Sequence, residues 1–314
     1  MEDFWFVVFE HLIAPIDFRS LGLTCKSTYL KLQRFESKLK NSRHLERLLK
    51  LFPDKPWDYN FLSRNPNIHW SFIKDNPHLP WDFRRVSENP NITWDIVQQN
   101  PLVAWSWYGL SRNKNITCDV IKQNPFKQWD YNWLSEMSNI TIDDVKQNPD
   151  IPWCHMYLSG NKNITWDIVQ QNPTINWSYT FLSSNPNITW DIVQQNSGLG
   201  WYYVWLSSNP NITWDIVKQN LHRPWAYSYI SVKPTVTLDI VKQNPELPWD
   251  YSFLSLNPNI TWDIIQKNLH LPWNPKHVSQ NPNITWHIVQ QNPDFEWDWS
   301  YLSSNTFGTI TVKK

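Results

Sequence analysis

Tryptophan recurs every 24 residues without a miss from Trp57 through Trp81, Trp105, Trp129, Trp153, Trp177, Trp201, Trp225, Trp249 and Trp273 to Trp297. A second series runs out of phase: Trp70, Trp94, Cys118, Ile142, Trp166, Trp190, Trp214, Leu238, Trp262 and Trp286. A fixed period of this size marks stacked supersecondary units rather than one irregular globule. Where the second series loses its Trp, only apolar residues replace it. That pattern predicts burial between repeats, not surface binding.

One period, Asn89 to Arg112, holds two half-units, each centred on Trp and each closed by Asn, usually Asn-Pro. In the first half Thr93 is placed to cap a helix, with Trp94 as its first residue. Ile92 before the cap and Val97 within the helix have the spacing of a hydrophobic staple. Asp95 lies in the first turn, where the helix dipole favours an anion. Its equivalents run from Asp119 to Asp263. Asn100-Pro101 ends the helix, because Pro biases the preceding residue away from the right-handed helical region.

The second half predicts a longer helix, with Trp57, Phe61 and Leu62 on one face. The fifth residue after each Trp is always aliphatic, from Leu62 to Leu302, and the next is always Ser, from Ser63 to Ser303. A small residue there allows close helix approach. Asn76 and its ten-member series to Asn292 are expected to cap their own helices in preference to bonding the next repeat.

Helices this short do not stand alone, so the stability of the array must come from burial between neighbours. The fold class expected is all-α: an α-solenoid of short two-helix 24-residue repeats with a small helical N-terminal unit. Ten to eleven repeats at ~9–10 Å between helices give an extended stack on the order of 100 Å long. The organisation read from the chain is a helical unit over 1–45, the end of a connecting helix and a linker over 46–55, the Trp repeats over 56–305 and a tail over 306–314. Leu45, Leu48, Leu49 and Phe52 form an apolar stripe in the connecting helix.

Composition narrows the function. The 314 residues carry 28 Lys plus Arg against 28 Asp plus Glu, so no global field draws nucleic acid or membrane. From Lys26 to Lys55 nine basic residues face three acids. Such a run is usually a solvated helix face. No stretch approaches the ~20 apolar residues of a membrane helix, and the acidic start Met1-Glu2-Asp3 is a poor secretory leader.

The cysteines Cys25, Cys118 and Cys154 form no disulfide framework or metal spacing and are expected as reduced thiols of a cytosolic or nuclear protein. Asn-Ile-Thr recurs at eight positions from Asn91 to Asn283. Each is formally a glycosylation acceptor, but the triplet is read as the lead into a helix cap. No Gly-rich phosphate loop, H-E-x-x-H, G-x-S-x-G or C-x-x-C occurs. The expectation is therefore no enzyme, no metal and no cofactor.

Recognition is assigned to positions that vary between otherwise similar repeats: Arg84, Arg85, Trp107, Tyr108, His155, Met156, Tyr202, Tyr203 and His277. Placed on one face, they would form an extended partner-binding surface.

The first forty residues have a different pattern. An apolar helix ends in His11-Leu12, followed by Asp17 with Ser20-Leu21, then Leu23-Thr24-Cys25-Lys26 and Tyr29. This stretch resembles the F-box, departing from it where Asp3-Phe4 stands in place of the usual Leu-Pro. The resemblance implies docking on the Skp-type adaptor of a cullin-RING ubiquitin ligase through Phe4, Phe6, Phe9, Leu12, Ile13 and Leu21. The whole arrangement, F-box first and then Asn-Pro-Asn-Ile-Thr-Trp-Asp repeats, resembles repeat proteins of giant DNA viruses of amoebae, which implies action in host cytoplasm. The expected function is a non-enzymatic protein–protein interaction adaptor, the substrate receptor of a host ligase. The alternatives are a ligase-independent repeat scaffold, whose N-terminal helices only cap the stack, and a single-stranded RNA binder using exposed aromatics. Neither membrane nor nucleic acid is an expected partner.

Overall fold

A computed structural model describes residues 44–307. The described residues hold 22 short helices and no strand, in eleven pairs. The first-half helices run from His44–Leu51, through Trp70–Asp75 and Trp94–Gln99, to Trp286–Gln291. The second-half helices run from Tyr59–Arg64, through Phe83–Glu88 and Trp107–Leu110, to Trp299–Ser304. The chain is an all-α array of two-helix repeats. Helix His44–Leu51, with Leu45, Leu48 and Leu49 buried, serves as the first-half helix of repeat one.

Local chemistry sets each boundary. Thr93 Oγ1 accepts from the Ile96 amide at 3.4 Å, and the same cap recurs at Thr117, Thr165, Thr189, Thr213, Thr237, Thr261 and Thr285. Asn76 caps its own helix: its Nδ2 donates to Phe72 O at 2.8 Å. Its carbonyl then accepts from the indole Nε1 of Trp81 at 2.9 Å. Every member of the unbroken Trp series, Trp57 to Trp297, donates in this way to the carbonyl five residues earlier.

The second-half helices differ from expectation. They are six residues or fewer, no longer than the first-half ones. They begin two residues after the Trp, capped by Asp58, Asp82 or an equivalent. Trp57 therefore lies outside the helix, and the i, i+4 relation to Phe61 does not hold.

Successive repeats are joined by buried polar rungs. Asn89 is fully buried. Its Nδ2 donates to the carbonyl oxygens of Ser63, Asn65 and Ile68 in the preceding repeat at 3.0, 3.0 and 3.1 Å. Its Oδ1 accepts from the Asn91 amide at 2.9 Å. Asn113, Asn185, Asn209, Asn257 and Asn281 repeat this arrangement. The Ser after each aliphatic residue is a second rung rather than merely a small residue. Ser63 Oγ donates to Tyr59 O at 2.6 Å and accepts from the Asp82 amide of the next repeat at 3.0 Å. The Asn of Asn-Ile-Thr is a third: Asn91 Nδ2 donates to Pro66 O and Ile68 O.

The array is not an open rod. The Asp58 amide donates to Ser303 Oγ at 2.9 Å, and Asn65 Nδ2 donates to the carbonyls of Ser303 and Asn305 at 3.0 and 3.3 Å. Asn67 Nδ2 reaches Thr306 O at 3.3 Å. These are the inter-repeat rungs, shifted by eleven periods. The aromatic pairs close in the same register. Trp286 lies 5.9 Å from Trp57, as Trp70 lies 5.2 Å from Trp105. Trp299 meets Trp57 edge-on at 5.3 Å, as Tyr59 meets Trp81 at 5.2 Å. Helices Tyr59–Arg64 and Trp299–Ser304 pack directly. The expected ~100 Å of stack is thus wound into the circumference of a closed ring.

Two repeats lack the buried Asn rung. Met137 stands there in one and Lys233 in the other. Replacing Asn185 by Ala removes three inter-repeat hydrogen bonds and the acceptor of the Asn187 amide and should cost about 2–4 kcal/mol in denaturant unfolding. Met137→Asn restores the absent rung and should raise stability by about 1 kcal/mol; a fall in the unfolding midpoint would contradict the ladder.

Lys233 Nζ donates to Asn209 O at 2.6 Å, and burial pulls its pKa down to about 8 from the ordinary 10.5. The unfolded chain therefore holds this proton over a range in which the folded chain has lost it. Stability should rise as pH climbs from about 8 to 10.5, and the slope should flatten in Lys233→Asn. Urea titrations across that range read the difference.

Candidate interaction surface on the inner wall

Most neighbouring second-half helices pack directly against one another around the ring, including the pair at the seam. They form the layer of smaller radius. Within each, the first residue faces the next repeat, as Tyr59 faces Trp81. The fourth and fifth, Leu62 and Ser63, are buried. The second, third and sixth residues remain, represented by Asn60, Phe61 and Arg64, and these share a face.

Spacing shows which way that face points. Packed helix axes lie ~8–10 Å apart. Third-position ring centroids lie closer: Trp133–Tyr157 at 5.8 Å, Tyr157–Phe181 at 5.1 Å and Phe181–Trp205 at 6.0 Å. The girdle resumes from Tyr229 to Phe253 at 6.4 Å, His277 at 5.7 Å, Tyr301 at 5.9 Å and, across the seam, Phe61 at 6.0 Å. Side chains closer together than their helices converge on the ring axis. Seven of the eleven steps are thus ring contacts of 5.1 to 6.4 Å; extended to all eleven, a step of about 6 Å sets the girdle on a circle roughly 21 Å across and leaves about 15 Å open, more than the ~10–12 Å of an α-helix with its side chains.

The girdle is interrupted by Arg85 and Gly109. Gly109 is required by contact: a Cβ there would lie 2.4 Å from Arg84 O. Around this interruption the wall is charged. Arg64 stacks over Phe61 at 5.1 Å, Arg84 over Tyr108 at 4.7 Å and Arg112 over Trp133 at 4.1 Å. Glu88 takes Arg85 at 3.1 Å and Arg112 at 3.8 Å. The Trp133 indole, and after it Arg84, hold the Tyr108 phenol below its usual range. Burial raises the Glu136 carboxyl. With Lys276, five cations and two carboxylates occupy wall positions.

Across the ring the wall is uncharged, with Thr180, Ser184, Ser208 and Ser228 interspersed among apolar side chains. Met156, Val204, Trp205 and Tyr229 are all exposed.

The nine partner-binding candidates do not share one face. Arg84, Tyr108 and Met156 occupy the second position, and Arg85 and His277 the third. These five lie on the inner wall. Trp107 and Tyr203 occupy the first position and pack edge-on against Trp129 at 5.1 Å and Trp225 at 5.2 Å. His155 is exposed at the first position and Tyr202 at the N-cap. Arg64, Arg112, Trp133 and Trp205 complete the wall and escaped the sequence reading. A periodic cue existed: the fourth residue after Trp is Phe, Trp, Tyr or His in nine of eleven repeats. Its regularity read as core because the helix was placed two residues too early. Phe4, Phe6, Phe9, Leu12, Ile13 and Leu21 lie outside the described residues.

No protein-family model, curated protein or solved structure matches the chain. Among the described residues no cluster of three His, Cys, Asp or Glu could hold a metal, and no helix is long and apolar enough to cross a membrane.

Proposed function

We propose that the protein is a non-enzymatic adaptor that holds a target protein against the inner wall of its ring and presents it to a host cullin-RING ubiquitin ligase in the cytoplasm. One observation carries the binding half. Framework positions repeat almost unchanged, whereas the second and sixth positions of the inner helices mix Arg, Asn, Tyr, Met, Glu and Ser around a mostly aromatic third position that includes Trp133 and Trp205. Arg, Tyr, Trp and Met are the residues enriched at protein interfaces.

The recruiting half rests on the F-box-like residues His11 to Tyr29. Ring closure supports it indirectly. An open solenoid needs a cap on its first repeat, but here the eleventh repeat covers the first. A purely capping role for the N-terminal residues thereby loses its purpose, which favours the ligase reading over the ligase-independent scaffold.

Pull-downs with the full chain test both halves. Leu12→Asp/Leu21→Asp should lose a purified Skp-type adaptor and keep the target. Arg84→Glu/Trp205→Ala should keep the adaptor and lose the target. Equal adaptor recovery from wild type and the Leu12/Leu21 variant, or from neither, rejects recruitment. Unchanged target recovery by the wall variant rejects the inner-wall site.

A further inference from the structure

The inner wall has two chemically distinct sides. Arg64 and Arg84, from repeats one and two, engage ring faces and take part in none of the ion pairs found among the described residues. Five repeats further on, almost diametrically opposite Arg84, stand Val204 and Trp205, with Tyr229 in the next repeat and Met156 two repeats before. An occupant matching both sides must carry anions on one flank and apolar groups on the other.

The geometry points to an amphipathic α-helix of a partner protein, acidic on one face and apolar on the opposite face, seated in the central opening. This deepens the inner-wall half of the adaptor reading and rests on it. The fit in size is direct. A helix ~10–12 Å across enters an opening of about 15 Å, and the long arginines span the remaining gap. A wall six residues deep along short helices covers ~9 Å, or nearly two turns of an occupant. Recognition would therefore read about six residues, with Glu or Asp at i and i+4 and Leu, Ile or Met on the opposite side.

The same wall fits single-stranded nucleic acid poorly. Stacking requires free ring faces. Here Phe181 and Trp205 lie nearly parallel at 19°, facing one another. The Phe61, Tyr108 and Trp133 faces are covered by guanidinium groups.

The test uses the full-length protein and fluorescence anisotropy with four probes. One is a labelled peptide of about twenty residues with a Glu face and a Leu face. The others are its scrambled isomer, a version with Lys for Glu, and oligouridylate. The acidic amphipathic peptide should bind at least tenfold more tightly than the other three. Arg64→Glu/Arg84→Glu should weaken it by about tenfold or more, with more loss at low salt, and Trp205→Ala should weaken it without altering the salt dependence. Arg64 and Arg84 are exposed, and circular dichroism checks that the ring persists.

Equal binding of the scrambled peptide, preferential binding of oligouridylate, or indifference to the double reversal each overturns the inference. If no peptide binds while Arg84→Glu/Trp205→Ala still loses the target in the pull-down, the helical occupant is wrong and the adaptor reading survives. If the pull-down also shows no effect, both fall.

Discussion

The ring depends on a buried carboxamide that recurs in nine of its eleven repeats. An Asn such as Asn185 ties three carbonyls of the preceding repeat to its own turn, in a site without water access. Apolar burial alone would let neighbouring repeats slide or rotate, because it is not directional. Three hydrogen bonds to fixed backbone atoms permit one relative orientation, and leaving them unmade in a buried site is expensive. Repeating one orientation makes the array regular, and its per-repeat rotation, about 33° when eleven units fill a circle, makes it close.

Closure removes the feature that limits other solenoids. A stacked array exposes the apolar face of each terminal unit. Here Trp286 and Trp299 cover Trp57 with the geometry used between interior repeats, and Ser303 accepts the Asp58 amide as Ser63 accepts that of Asp82. Phe307 adds a plug: it takes a φ of 47°, uncommon for a bulky side chain, and packs 5.7 Å from Trp286. Helix His44–Leu51 completes the first repeat although it lacks the motif residues. Leu48 and Leu49 stand one period before Phe72 and Ile73 and are buried as they are.

Repeat length, helix count and caps were legible because they are local. Thr at an N-cap and Asn at a C-cap act within one turn of chain, so spacing reveals them. The two Trp series were both read as core, but they differ in a way that only contacts explain. The unbroken series donates its indole N–H to a helix-terminal carbonyl, which no aliphatic residue can do. In the other series the Trp94 and Trp262 indoles are buried without a partner, and Cys, Ile or Leu substitutes. The Ser rung was visible as an invariant letter and the Asn rung as one broken only at Met137 and Lys233. Their roles were not, because each bonds a residue 19 to 26 positions away. Curvature was illegible for the same reason: it is the angle of those bonds.

The charge of the chain shows how a closed shape changes the meaning of composition. A balance of 28 basic and 28 acidic residues argues against an attraction for anions when the surface is treated as one. The ring divides that surface in two. Five cations against two carboxylates on the inner wall leave the remainder of the chain net acidic. Charges around a narrow opening flanked by low-dielectric walls reinforce one another, whereas those spread over the outer rim are separated by solvent and screened. A partner approaching from outside meets a weakly repulsive rim if it is acidic, yet a favourable interior once one end has entered. On the proposed reading, an occupant must thread the opening by a free end or enter where the non-covalent seam at Asp58 and Ser303 parts.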